Sequence, residues 1–152
     1  MSTSKLGIYN NALLHLEERK LSSLSENREP RRALDDAYDV VIGYCIEQGF
    51  WKHALRTVSI EASSSIDPAF GYQNAFVKPD DWVRTYQVSE SENFEPQLLR
   101  FNDEGAYWYA DSDPLYFRYV SNDPSWGYDL SRWPASFAEY VALRLAVRHG
   151  AR

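Results

Sequence analysis

The sequence predicts an α+β fold: a small helical bundle, made of two N-terminal helices and one C-terminal helix, with an antiparallel β-sheet or meander inserted in it. Three observations carry this. Apolar residues recur at helical spacing near both ends of the chain, whereas the middle alternates with a period of two. Turn-forming Gly, Pro, Asn and Asp cluster between the alternating segments. Aromatic residues make up 15% of the chain and fall mostly after Phe50, and such side chains suit a pleated, half-buried surface. The limits are 1–54 for a helical hairpin, 55–121 for the inserted β module and 134–150 for the closing helix.

Leu6, Tyr9, Leu13 and Leu16 repeat at helical spacing, with Ser and Thr upstream as caps. That helix fades in ERKLSSLSENREP. Pro30 sits where a first helical turn tolerates it, and REPRR, with Asp35 and Asp36 behind it, reads as a solvated helix start. Leu34, Ala37, Tyr38, Val41 and Cys45 form the apolar stripe of the second helix, stopped at Gly49. In RTVSIEAS, Val58, Ile60 and Ala62 alternate with Thr57, Ser59 and Glu61, as in a half-buried strand. WVRTYQV reads as another strand. QLLRF, AYWYA and LYFRYV follow as a meander, separated by NDEG and DSDP, which have turn composition. SNDPSWGYDLSRW is a loop, and Pro134 opens the last helix. The polar residues of that helix, Glu139, Arg144 and Arg148, do not gather on one side, so it is expected to be buried or to face another subunit. The chain stops at HGAR with no cap beyond Gly150, as expected of a shortened version of something longer.

At 152 residues one domain is expected, with core enough to need no staples. The single cysteine, Cys45, lies in VVIGYCIEQG and reads as a buried, inert thiol. No signal peptide and no membrane span is legible, so a soluble protein that stays in the compartment of its synthesis is expected. A net charge of −6 disfavours a grip on phosphate backbones, which needs clustered Lys and Arg.

The chemistry-bearing residues point away from an enzyme. His15, His53 and His149 are isolated in sequence, without CxxC or HExxH, so neither metal nor cofactor is expected. There is no nucleophile elbow and no phosphate-cradling glycine loop. Asp80 and Asp81 beside Trp82, and Asp103, Glu104, Asp111 and Asp113 around YWY, resemble the acid pairs of a glycoside hydrolase. Asp side chains also cap turns, and turn chemistry is the expected role. In the AYWYA strand Trp108 must face one side while Tyr107 and Tyr109 face the other, which leaves one set for solvent or a partner.

FWKHALRTVSIEAS followed by FGYQNAFVKPDDWVRTYQV resembles the tail tubular protein A family of short-tailed bacteriophages. Trp51, Gly71, Tyr72, Ala75, Phe76, Pro79, Asp81 and Arg84 occupy the matching places. In the last helix Phe137, Ala142, Arg144, Leu145 and Ala146 carry the match, and the resemblance spans nearly the whole chain. Lys78 departs from it, standing where family members commonly have Leu.

The resemblance implies a single adaptor domain over 1–152 and a structural virion protein at the head–tail junction, assembled in the host cytoplasm. Its copies would form a dodecameric ring beneath the portal protein, with the tail nozzle attached below. The ring would pass double-stranded DNA without sequence-specific binding. It also implies that Phe70, Tyr72, Phe76 and Trp82 join the bundle to the sheet around an exposed Lys78–Asp81 turn, with Arg84 paired to Asp81. Tyr107, Tyr109, Trp126, Tyr140, Arg144 and Arg148 are the interface candidates. The alternative is an aromatic-rich carbohydrate-binding or polysaccharide-degrading tail module.

Overall fold

A computed structural model describes residues 4–150. These fall into two compact units: one runs to His53 and resumes at Asp123, and the other spans Ala54–Asn122. The class is α+β, with three α-helices and two small antiparallel sheets.

The helical unit holds α1 (Lys5–His15), α2 (Glu29–Glu47) and α3 (Ala135–Gly150), and α3 packs against both others. Ser4 caps α1, its hydroxyl accepting from the Gly7 amide at 3.0 Å. The helix ends in a Schellman turn: the Glu18 amide donates to the Leu13 carbonyl at 2.9 Å, while Glu17 takes a φ of 58°, a conformation usually left to glycine. The start of α2 is knitted rather than merely solvated. Arg28 donates to the Lys20 and Arg19 carbonyls, Arg31 to Asp35, and Arg32 to Asn27. The expected stripe of α2 is buried throughout, joined by Ile42 and Ile46. Tyr9 fastens α1 to α2, its ring edge-on to Tyr38 and its hydroxyl donating to Asp35 at 2.7 Å. The loop expected over 121–133 contains one short 3-10 turn, Leu130–Arg132, and its first residue, Ser121, belongs to the strand before it.

The β unit differs from a meander. Its strands are β1 (Leu55–Ile60), β2 (Asn74–Val77), β3 (Trp82–Ser89), β4 (Asn102–Glu104), β5 (Tyr107–Ala110) and β6 (Leu115–Ser121). One sheet has the order β1-β6-β3 and the other β2-β5-β4. Two corrections follow. QLLRF is not a strand, touching the ladder only where Gln97 bridges Ser89, and the strand after it is NDE. LYFRYV leaves its sequence neighbour β5 to pair with β1 and β3 in the other sheet. The expected hairpin of QLLRF and AYWYA is replaced by one of β4 and β5, in which Asn102–Glu104, expected as part of the turn, form the first strand, and Gly105 supplies the positive φ of 59° at the first place of a two-residue turn.

The partition has a packing reason. Phe76 and Trp108 from one sheet meet Phe117 from the other, with centroids 5.4 and 4.1 Å away, and the Trp108 and Phe117 rings are nearly parallel. Val88, Leu115 and Tyr119 complete this core. Two three-stranded layers enclose these large rings, whereas one meander would leave a face of them wet.

Candidate functional site

The Lys78–Asp81 turn is not an exposed tip. Lys78 is only 8% exposed. Its ammonium lies 3.7 Å from the Trp82 ring centroid and donates to the Asp103 carboxylate and the Gly105 carbonyl. The aliphatic stem therefore fills the place a Leu would take, while the head reaches an anion. Asp103 also accepts from the Thr85 hydroxyl. That hydroxyl in turn accepts from both indole nitrogens, Trp82 at 2.9 Å and Trp108 at 2.8 Å. One donor and two acceptor positions are all a threonine hydroxyl has, so Thr85 is saturated. Thr85→Val leaves two indole N–H groups without an acceptor and is expected to lower stability by about 2 kcal/mol or more, whereas Thr85→Ser retains most of it. Urea unfolding of the three proteins checks this; equal midpoints for valine and wild type would refute it.

Asp81 is the second hub. Its carboxylate accepts from Arg56 at 2.8 Å, Tyr119 at 2.8 Å and Ser121 at 2.5 Å. The cation paired with Asp81 is thus Arg56, from β1, in place of the expected partner Arg84. Arg84 itself sits in β3 opposite Val120. Burial alone would raise the Asp81 carboxyl, but the bonds from Ser121, Tyr119 and Arg56 outweigh it and hold the carboxyl below its usual range. Burial and the hydrogen bond to Asp81 push the Tyr119 phenol up. An acid locked in the ionised state has no proton to give at neutral pH, so Asp81 is a poor general acid.

The remaining acids in the stretch cross-link loops more than they cap local turns. Asp111 accepts from the Gln73 amide and pairs with Arg100; Asp113 accepts from the Ala62 amide; Glu104 accepts from Asn102. Local capping occurs at Asp123 and Asp129. Among the described residues no group of three or more His, Cys, Asp or Glu is placed to hold a metal ion, and no helix is long and apolar enough to cross a membrane. Burial raises the Cys45 thiol to about 11, which leaves little thiolate to act as a nucleophile.

The other residues singled out in the sequence have separate places. Trp51 packs edge-on to Phe137 and beside Tyr140, its indole donating to the Cys45 carbonyl at 3.0 Å. Pro79 accepts from the Trp82 amide, closing the turn into β3. Nothing in the structure explains a glycine at position 71. Phe70, Tyr72, Phe76 and Trp82 make ring contacts with other residues of the β unit. Trp126 lies under the Arg132 guanidinium, and the Arg144 guanidinium stacks over Tyr44 at 4.4 Å.

Two outward surfaces remain. On the sheet of β2, β5 and β4, Trp108 points inward as expected, and Tyr107 and Tyr109 lie on the opposite face with Phe70 and Tyr72. Their planes are inclined to one another by 58–88°, so they offer no flat platform of the kind on which a sugar ring stacks. On the helical unit, Phe137, Val141, Ala142, Leu145 and Ala146 of α3 are buried, while Leu143 and Val147 are 42% and 59% exposed. On α2, Val40 and Tyr44 are 54% and 43% exposed. Val40, Leu143 and Val147 are thus large apolar side chains left exposed on these helices. The apolar excess of α3 was legible in the sequence; the burial of Lys78 between Val77 and Pro79 carried no signal at all. No protein-family model matches the chain, and no curated protein matches it at a significant level.

Proposed function

We propose that this chain is a structural protein of a bacteriophage virion: a head-to-tail adaptor whose copies form a ring beneath the portal and line the DNA exit channel. The observation that carries the reading is the apolar outer face of α3, whose inner face is already filled by its own bundle. A helix apolar on both sides needs a second partner. The motif that carries the family resemblance supports the same reading. Trp51, Phe76 and Asp81 each hold a core contact, so these residues serve architecture and not turnover.

In this role the partners are further copies in a ring of about twelve, the portal above, the tail nozzle below and duplex DNA in transit, with no cofactor. A ring repeats one head-to-tail contact, so each copy needs two complementary surfaces. The acidic balance of −6 suits a wall from which DNA must slide, although screening confines that repulsion to about 8 Å from the lining. Electron microscopy of the protein mixed with portal particles tests the proposal. A closed ring on the portal is the expected result; a protein that ignores the portal yet binds sugars saturably in calorimetry would replace it with the carbohydrate-binding alternative.

A further inference from the structure

We propose that the outer face of the β2-β5-β4 sheet docks an arginine carried on an apolar segment of a partner protein, its guanidinium stacked on Tyr107 and paired to Glu104. The proposal goes beyond the ring reading and does not depend on it. The chain already holds one guanidinium on this face. Arg100 lies 5.0 Å from the centre of the Tyr72 ring and pairs with the Asp111 carboxylate beside it. Asp111 divides its oxygens: Oδ1 accepts from the Gln73 amide at 2.9 Å, and Oδ2 accepts from Arg100. The guanidinium thus meets an aromatic ring and a half-used carboxylate together.

Tyr107 and Glu104 repeat that arrangement without a cation. They sit opposite each other in the β5–β4 ladder, on the side away from the buried Trp108. Glu104 is exposed, and its Oε2 accepts from the Asn102 side-chain amide at 2.8 Å. Among the described residues no cation pairs with Glu104 or lies over the Tyr107 ring. Lys78, which follows Val77 opposite Tyr107, is turned inward to Trp82 and Asp103. A guanidinium fits the vacant pair better than an ammonium, because its plane lies on a ring while its edge donates to a carboxylate. One exposed ion pair holds little by itself, so the arginine needs apolar company. Val77, in line with Tyr107 and 50% exposed, and Phe70, packed on Tyr109 and 41% exposed, supply it on the same face. A phosphate backbone would meet Glu104 with like charge. The matching partner is therefore apolar and cationic.

NMR titration of the isotope-labelled full chain with the blocked peptide acetyl-Leu-Val-Arg-Val-Leu-amide tests this. Saturable shifts are expected at the amides of Val77, Glu104 and Tyr107, and the affinity should fall as salt rises. Glu104→Gln should weaken binding by about two- to five-fold, and Glu104→Lys by about ten-fold or more. Tyr107→Ala should cost about two- to five-fold through the lost ring. A peptide with citrulline in place of arginine keeps the shape without the charge. It should bind wild type as weakly as the arginine peptide binds Glu104→Gln, and lose nothing further on that variant. Unchanged thermal midpoints show that the variants fold, and Glu104→Gln, at an exposed site, keeps the test open if Tyr107→Ala does not. No saturable shift, shifts centred elsewhere, equal affinity for the citrulline peptide, or a Glu104→Gln variant that binds like wild type would each overturn the proposal.

Discussion

Asp81→Ala is expected to destabilise the β unit by about 2–3 kcal/mol, the cost of taking a shared acceptor from partly buried donors. The carboxylate ties three strands at once: Arg56 from β1, and Tyr119 and Ser121 from β6, converge on a residue that leads into β3. Without it the Tyr119 hydroxyl, set in a fully buried residue, loses its acceptor. Asp81→Asn keeps the volume and one acceptor oxygen, and should fall between alanine and wild type. Tryptophan fluorescence during urea unfolding reads the effect through Trp82 and Trp108 of the same unit. An alanine variant within 1 kcal/mol of wild type, a threshold set by an ordinary surface change, would show that the hub contributes little. The pH dependence has a definite sign. The carboxyl sits lower in the folded chain than its ordinary 3.8, so its contribution is complete above that value and is lost as pH falls below it.

His53→Phe is expected to remove a separate acid sensitivity at higher pH. The imidazole is 8% exposed, lies 4.5 Å from the Phe137 ring and 6.4 Å from Trp133, and neither ring nitrogen has a hydrogen-bond partner among the described residues. Burial, helped by the nearby Arg132 guanidinium, lowers its pKa to about 4. The aromatic faces would favour an imidazolium by up to about 2 kcal/mol, but an unpaired buried cation costs several. Desolvation wins. The unfolded chain takes up the proton near 6.5 and the folded chain resists it until about 4, so the contribution is complete above 6.5 and drains away between 6.5 and 4. The full drop corresponds to about 3 kcal/mol. Wild-type stability measured by urea unfolding should fall across that window and then level off until the carboxylates titrate, while the phenylalanine variant stays flat through it. A flat wild-type profile would show that the imidazole is more accessible than its packing implies.

The helices were legible because their causes are local. The α2 stripe repeats within its own turns, and Ser4 and Pro30 punctuate the starts of α1 and α2. The β unit was legible in its alternation, with Val58, Ile60 and Ala62 more covered than Thr57, Ser59 and Glu61, but not in its sheet order. Whether LYFRYV stays beside AYWYA or crosses to RTVSI depends on where Trp108 and Phe117 find each other, a contact made in space. The partner of Asp81 was hidden for the same reason. Arg84 is three residues away and Arg56 twenty-five, and no spacing rule prefers the farther one. Lys78 misled in the same way, and the burial of His53 carried no sequence signal, since a polar residue becomes a core residue only when distant groups enclose it.

The β unit begins and ends on paired strands, with Leu55 opposite Val120, so the chain enters and leaves it side by side. To the helices on either side in sequence, some seventy residues therefore amount to one short hairpin connection. With entry and exit paired in this way, a change of length in the far loops of the unit leaves the separation of its two ends untouched.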